Sequence, residues 1–198
     1  MEPSNPEMLI HALDDRLDHD VRLVLYGRAS IALGFNDPPL ETADTLDIDV
    51  IIEMSQLDEL VNDDQFWDAR DAVNDLFKDK GLYITHLFQE DQVFLREGWE
   101  REIVPVLRPP VRFLKLFRPA TVDLILTKMM RGDDHQDMDD VAFLVRHDAI
   151  TPAELEAAFA RVRIPDLLEL REAFDRALPV VRAIGRNRDL PERFDNFA

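Results

Sequence analysis

The sequence predicts an α+β protein, an α/β half followed by a helical half. Apolar, β-rich runs at 21–26, 46–52 and 82–88 are separated by segments whose apolar residues recur at helical spacing. After Pro119 the strand-like runs stop and helical periodicity takes over. No flexible linker, internal repeat or low-complexity tract intervenes. The expected division is therefore an α/β core at 1–118 and a helical region at 119–198 packed on it.

The first helix is expected at 6–18, with Asn5 as cap, Pro6 in the first position and Leu9, Leu13 and Leu17 on one face. VRLVLY at 21–26 reads as a strand. Gly27 breaks it, 28–33 forms a short helix, and NDPP at 36–39 is a turn cluster. LDIDVII at 46–52 is the next strand, 57–78 reads as one helix ended by Gly81, and LYITHLF at 82–88 is a third strand. Shorter strands are expected at 93–96, 103–107 and 112–117. Helices follow at 122–131 and 137–147. Thr151, Pro152 and Glu154 form a capping box that opens a helix running to 162. Pro165 opens another, which Pro179 ends or kinks, and the tail from 185 is irregular. Phe113, Phe117, Phe143 and Phe159 read as core.

Composition bounds the function. An apolar fraction of 46% over 198 residues supports a real core. The absence of cysteine excludes disulfides and thiolate metal sites and is compatible with a reducing cytoplasm, the expected location. The N-terminus lacks the basic and apolar regions of a signal peptide, and no apolar run is long enough to span a bilayer. With 23 basic against 41 acidic residues the formal charge is −18, which repels phosphate backbones and disfavours an extended nucleic acid as partner. Solubility is the simpler use of that charge.

The chemistry concentrates between residues 25 and 52. Side chains alternate along a strand, so Asp47 and Asp49 project together while Leu46, Ile48 and Val50 point the other way. Two carboxylates on one strand make a poor core and a good seat for a hard divalent cation. Gly27 permits close backbone approach to a phosphate, and the turn after it offers free N–H donors. Ser30 adds a hydroxyl and Arg28 a charge. The simpler alternatives are a tight turn at Gly27 and a solvent-facing D-x-D on an edge strand. His86 reads as a structural hydrogen-bonder more readily than a ligand or base. His11, His19, His135 and His147 share no ligand spacing, and no Walker A, dinucleotide, G-x-S-x-G or zinc pattern is present.

Strand, glycine-led helix, spacer and h-D-x-D-h strand together resemble the nucleotidyltransferase fold of the polymerase-β-like superfamily. The T-x-D-x-D form at Thr45, Asp47 and Asp49 resembles its AbiEii-like branch, known from type IV toxin–antitoxin systems. So does DLILTKMMRGDDHQDMDDVAFL, with Lys128, Arg131, Asp137 and Asp140. The resemblance spans about 21–147. It implies a mixed β-sheet flanked by helices and a nucleoside triphosphate substrate. It also implies one or two Mg²⁺ ions on Asp47 and Asp49, with Gly27, Arg28 and Ser30 near the phosphates. Lys128 would neutralise phosphate charge, assisted by Arg131 and oriented by Asp137 and Asp140. For Lys128 and Arg131 the alternative is a helix C-terminus complementing its dipole, and for the two aspartates it is helix capping. The family places a third carboxylate on the next core strand. The run at 82–88 has none, and Glu90, Asp91 and Glu102 are the nearest candidates.

The expected function is transfer of a nucleoside monophosphate from the triphosphate to a hydroxyl acceptor. The alternative is a catalytically degenerate member acting through a protein partner, such as a toxin–antitoxin component. A structural protein reusing the fold is a third reading.

Overall fold

A computed structural model of the chain describes residues 3–187, apart from the side chain of His86. Helix α1 (Asn5–Asp14) is capped by Ser4, not Asn5. Ser4 and Glu7 form a reciprocal capping box, in which the Ser4 amide donates to Glu7 Oε2 at 2.7 Å. Strand β1 (Val21–Tyr26), helix α2 (Gly27–Gly34) and strand β2 (Asp47–Ile52) follow. Leu46 stays outside β2 and is 54% exposed, so it does not join Ile48 and Val50 in the core.

The single helix expected at 57–78 is two, α3 (Leu57–Val61) and α4 (Asp64–Phe77). Asp63 interrupts the run because its carboxylate caps α4, accepting from the Phe66 amide at 2.9 Å. Gly81, at φ +67°, ends the following turn in the left-handed region. Strands β3 (Tyr83–Gln89), β4 (Leu95–Arg96), β5 (Val104–Pro105) and β6 (Leu114–Arg118) complete the first half.

Five strands form one mixed sheet in the order β3-β2-β1-β6-β5. β1 runs antiparallel to β2 and parallel to β6, β2 is parallel to β3, and β5 is antiparallel to β6. One face carries Leu23, Leu25, Ile48, Val50, Leu114 and Leu116, packed with the apolar sides of α1 and α4. Val24 and Ile51 lie on the opposite face, packed with Val93, Leu95 and Trp99 and flanked by Tyr26, Phe88 and Phe117. Asp47 and Asp49 share that second face by the strand's alternation. Asp14 ties α1 to the start of β6 by accepting the amides of Arg112, Phe113 and Leu114 at 2.7, 2.8 and 2.8 Å. Burial pushes its pKa up, but these three amides hold the carboxyl below the usual range.

β3 departs from simple alternation. Ile48 pairs with Ile84 but Val50 with Leu87, so Thr85 and His86 together oppose Asp49. This β-bulge returns Leu87 to the first core and brings Phe88 to the second. β3 is also a sheet edge, and one side chain of α4 covers part of it. The Asn74 amide donates to the Ile84 carbonyl at 3.1 Å and accepts from the Ile84 amide at 2.7 Å.

The second half is helical, as expected. α5 (Thr121–Lys128) runs into a short 3₁₀ turn at Met129–Arg131, and α6 (His135–His147) follows. α7 (Pro152–Phe159) starts on the expected Thr151–Glu154 capping box. It stops at Phe159 instead of reaching 162, because Val162 enters strand β7 (Val162–Arg163) and pairs antiparallel with β4. The last helix, α8 (Leu168–Arg186), opens three residues after Pro165 and continues through Pro179. Pro179 lies on the exposed side, as does Asp175, whose carbonyl loses its N–H partner to the proline and is open to water there. The part of the expected irregular tail beyond 187 lies outside the described residues. Among the described residues no helix is long and apolar enough to cross a membrane.

Candidate functional site

Asp47 and Asp49 project from β2 next to the β1–α2 junction. Asp49 pairs across the sheet with Tyr26, the residue before Gly27. Gly27 has φ +64°, and a Cβ there would sit 3.0 Å from Asp49 Oδ2. Only glycine therefore lets the chain turn this close to the carboxylate. The Thr45 hydroxyl donates to Asp47 Oδ1 at 3.1 Å. The Thr85 hydroxyl, delivered by the bulge, bonds Asp49 Oδ1 and lies 3.1 Å from the Ile48 carbonyl. Burial raises the Asp49 pKa and the Asp47 charge adds to it. The Thr85 bond and the positive charges of Lys128 and Arg131 oppose that rise. The pair is thus a partly desolvated concentration of negative charge.

The second wall comes from the helical half. Lys128, at the end of α5, is buried, and its Nζ donates to Asp137 Oδ1 at 3.1 Å and Asp140 Oδ2 at 2.6 Å. Arg131 Nε reaches Asp137 Oδ2 at 2.6 Å, and Arg28 Nε reaches Asp140 Oδ2 at 3.2 Å. Asp140 is 1% exposed, so its charge is compensated by these two cations rather than by water. Burial pushes the Asp137 pKa up, but Arg131 and Lys128 bring it below the ordinary carboxylate range. Capping does not account for these aspartates: Asp134 caps α6, its Oδ1 accepting from the Asp137 amide at 3.1 Å.

The two walls face each other across a cleft of about 390 Å³. Gly27, Arg28, Asp47, Asp49, Lys128 and Arg131 all line it. Ser30 does not: it is fully buried, and its hydroxyl donates to the Gly27 carbonyl at 2.8 Å. The third-acid candidates also lie elsewhere. Glu90 accepts from Trp99 Nε1 at 3.2 Å and Glu102 from Arg96 at 2.9 Å, and both line a separate cavity of about 640 Å³. Asp91 is exposed in the turn after β3. The His86 side chain, the other candidate from that strand, lies outside the described residues.

Sequence reasoning did not single out Tyr26, Phe88, Met130, Thr127 and Gln136, which complete the lining. Aromatic and methionine side chains near strands and helix ends read as core, and the bulge that brings Phe88 here leaves no mark in composition. Among the described residues no group of three or more His, Cys, Asp or Glu is gathered to hold a metal. Mg²⁺ needs fewer: it is commonly held by one or two carboxylates, with water and phosphate oxygens completing the shell. Asp47 and Asp49 fit that donor set. The chain matches no family model, no curated protein and no solved structure.

Proposed function

We propose that this cleft binds a nucleoside triphosphate with Mg²⁺ and transfers its nucleoside monophosphate to a hydroxyl acceptor. The observation that carries the reading is convergence. Gly27 and the Asp47/Asp49 pair line one cleft with the Lys128/Arg131 pair, which lies about 80 to 100 residues further along the chain. Its volume of about 390 Å³ lies within the range of small-ligand sites.

Each part has a task. Gly27 lets a phosphate approach the first turn of α2, whose N–H groups are donors. Asp47 and Asp49 hold Mg²⁺, which when bound polarises the reacting phosphorus and offsets triphosphate charge. Lys128 has three N–H donors and spends two on Asp137 and Asp140, leaving one for a phosphate oxygen. Those two aspartates keep the ammonium in place before the substrate arrives, so little reorganisation is needed at the reaction. The acceptor oxygen forms a bond to the α-phosphorus as the bond from that phosphorus to the β-phosphate oxygen breaks; the hydroxyl proton passes to water and pyrophosphate leaves.

The charge of −18 supports a protein side chain or small molecule as acceptor over an extended nucleic acid. A cytoplasmic setting, where nucleoside triphosphates are plentiful, accords with the absence of cysteine. A second reading is nucleotide binding without transfer, in a protein acting through a partner such as the other half of a toxin–antitoxin pair. The engagement of Glu90 and Glu102 away from the cleft favours it, since transfer calls for a base at the attacking hydroxyl.

The test incubates the protein with each labelled triphosphate, Mg²⁺ and cell extract, beside an Asp47→Ala/Asp49→Ala variant. Transfer by the wild type that the double substitution abolishes is expected. Label transfer surviving the substitution sinks the assignment of these carboxylates. Mg²⁺-dependent nucleotide binding by calorimetry without any transfer selects the second reading.

A further inference from the structure

The cleft is chemically divided. Its charged part is the two walls described above; apart from the polar Thr45, Thr127 and Gln136, the rest is an apolar wall made by Tyr26, Phe88 and Met130. The Tyr26 and Phe88 rings meet edge to face, with centroids 5.8 Å apart and planes at 87°. In such a pair the ring that lends its edge keeps both of its own faces free of the partner, so a flat ligand can stack without breaking the contact. The wall and the charged part are continuous. Tyr26 directly precedes Gly27 and pairs across the sheet with Asp49.

Three features mark this wall as more than core. Both rings and Met130 pack against the second core on one side yet remain partly open and line the cleft on the other. Among the described residues the Tyr26 hydroxyl has no hydrogen-bond partner and is not sealed from solvent, so it can meet a ligand in the cleft. Phe88 reaches the wall only because of the Thr85–His86 bulge, a distortion of the kind that re-aims side chains beside binding sites.

We propose that Tyr26, Phe88 and Met130 form the seat of the nucleobase, with the Tyr26 hydroxyl hydrogen-bonding the sugar or base of the same ligand. This rests on the nucleotide reading of the cleft. It narrows the ligand to a polyphosphate carrying a planar heteroaromatic ring and excludes a bare polyphosphate as the preferred occupant. A seat built from stacking and a single hydroxyl discriminates weakly among bases, because every base offers a π-face.

Calorimetry with Mg²⁺ tests this using three probes: ATP, CTP and inorganic tripolyphosphate. The proteins are the wild type, Phe88→Leu, which removes the ring but keeps apolar bulk, and Tyr26→Phe, which removes the hydroxyl alone. Thermal melting checks each fold, and Met130→Ala probes the same wall if Phe88→Leu melts early. The wild type is expected to bind both nucleotides within about ten-fold of one another and more tightly than tripolyphosphate. Phe88→Leu is expected to weaken both nucleotides about ten-fold while leaving tripolyphosphate unchanged. Tyr26→Phe is expected to produce a smaller loss of the same selectivity. Equal wild-type affinity for all three probes overturns the seat while leaving the phosphate site standing. So does nucleotide affinity that ignores Phe88→Leu, or a loss shared equally with tripolyphosphate. A wild type that binds none of the three overturns the nucleotide reading itself.

Discussion

Asp14 shows how much one side chain can organise. It accepts three consecutive amides at the entry to β6, and no water is needed to satisfy it. Replacing it by asparagine removes the charge and turns an N–H₂ towards N–H donors, so about 2–3 kcal/mol should be lost at neutral pH. The pH dependence has a definite sign. The carboxyl's pKa is lowered in the folded state. Its stabilisation is therefore full above the unfolded value of about 3.9 and is lost as pH falls through the lower folded value. Urea unfolding of wild type and Asp14→Asn should show a wide gap at pH 7 that closes at acid pH. A gap that persists unchanged in acid would contradict the role. Residue identity also decides what the sequence could reveal about the cleft. Asp47 and Asp49 stand out because carboxylates are costly in an apolar strand without a use, and Gly27 because it marks the tight turn beside them. Ser30 misleads, since a hydroxyl in a helix readily bonds its own preceding carbonyl, here that of Gly27.

At the level of elements, the regular parts were legible and the interruptions were not. β1 and the α7 capping box lie where the apolar runs and the Thr151–Glu154 spacing put them. The break at Asn62–Asp63 was hidden because the apolar spacing of 57–78 carries on across it, and only the Asp63 cap reveals two helices. The bulge in β3 was hidden because an extra residue changes pairing, not composition. Of the two outcomes expected at Pro179, an end or a kink, the helix does not end there: α8 runs on to Arg186, because proline's penalty depends on whether its freed carbonyl can reach water. That penalty remains in the helix, so Pro179→Ala should stabilise the protein by about 1–3 kcal/mol. Differential scanning calorimetry would register it as a higher Tm. A lower Tm would mean that the proline ring makes contacts worth more than the restored hydrogen bond.

Across the whole molecule, the α+β class and its order could be read from where strand-like runs end, near Pro119. The cleft as a place could not, because it exists only where β1, β2, α2, α5 and α6 meet. Its ionic residues are marked by their type and spacing, but which of them face one another is set by packing. The edge of the sheet is a matter of the same scale. Among the described residues β3, seven residues long, has no strand on its outer side, and an open edge of that length invites another chain. The Asn74 side chain imitates one residue of a neighbouring strand, donating and accepting at Ile84 as a backbone would. Asn74→Ala should cost only about 1–2 kcal/mol, since water can take over both groups. Its larger effect should be on company rather than stability. In light scattering across a concentration series, the variant should gain mass where the wild type does not, as β3 of one copy zips onto β3 of another. A variant whose mass stays flat would assign the protection to charge alone. On this view the last strand has, at Ile84, a counterfeit neighbour: one amide that offers β3 what another chain would offer it.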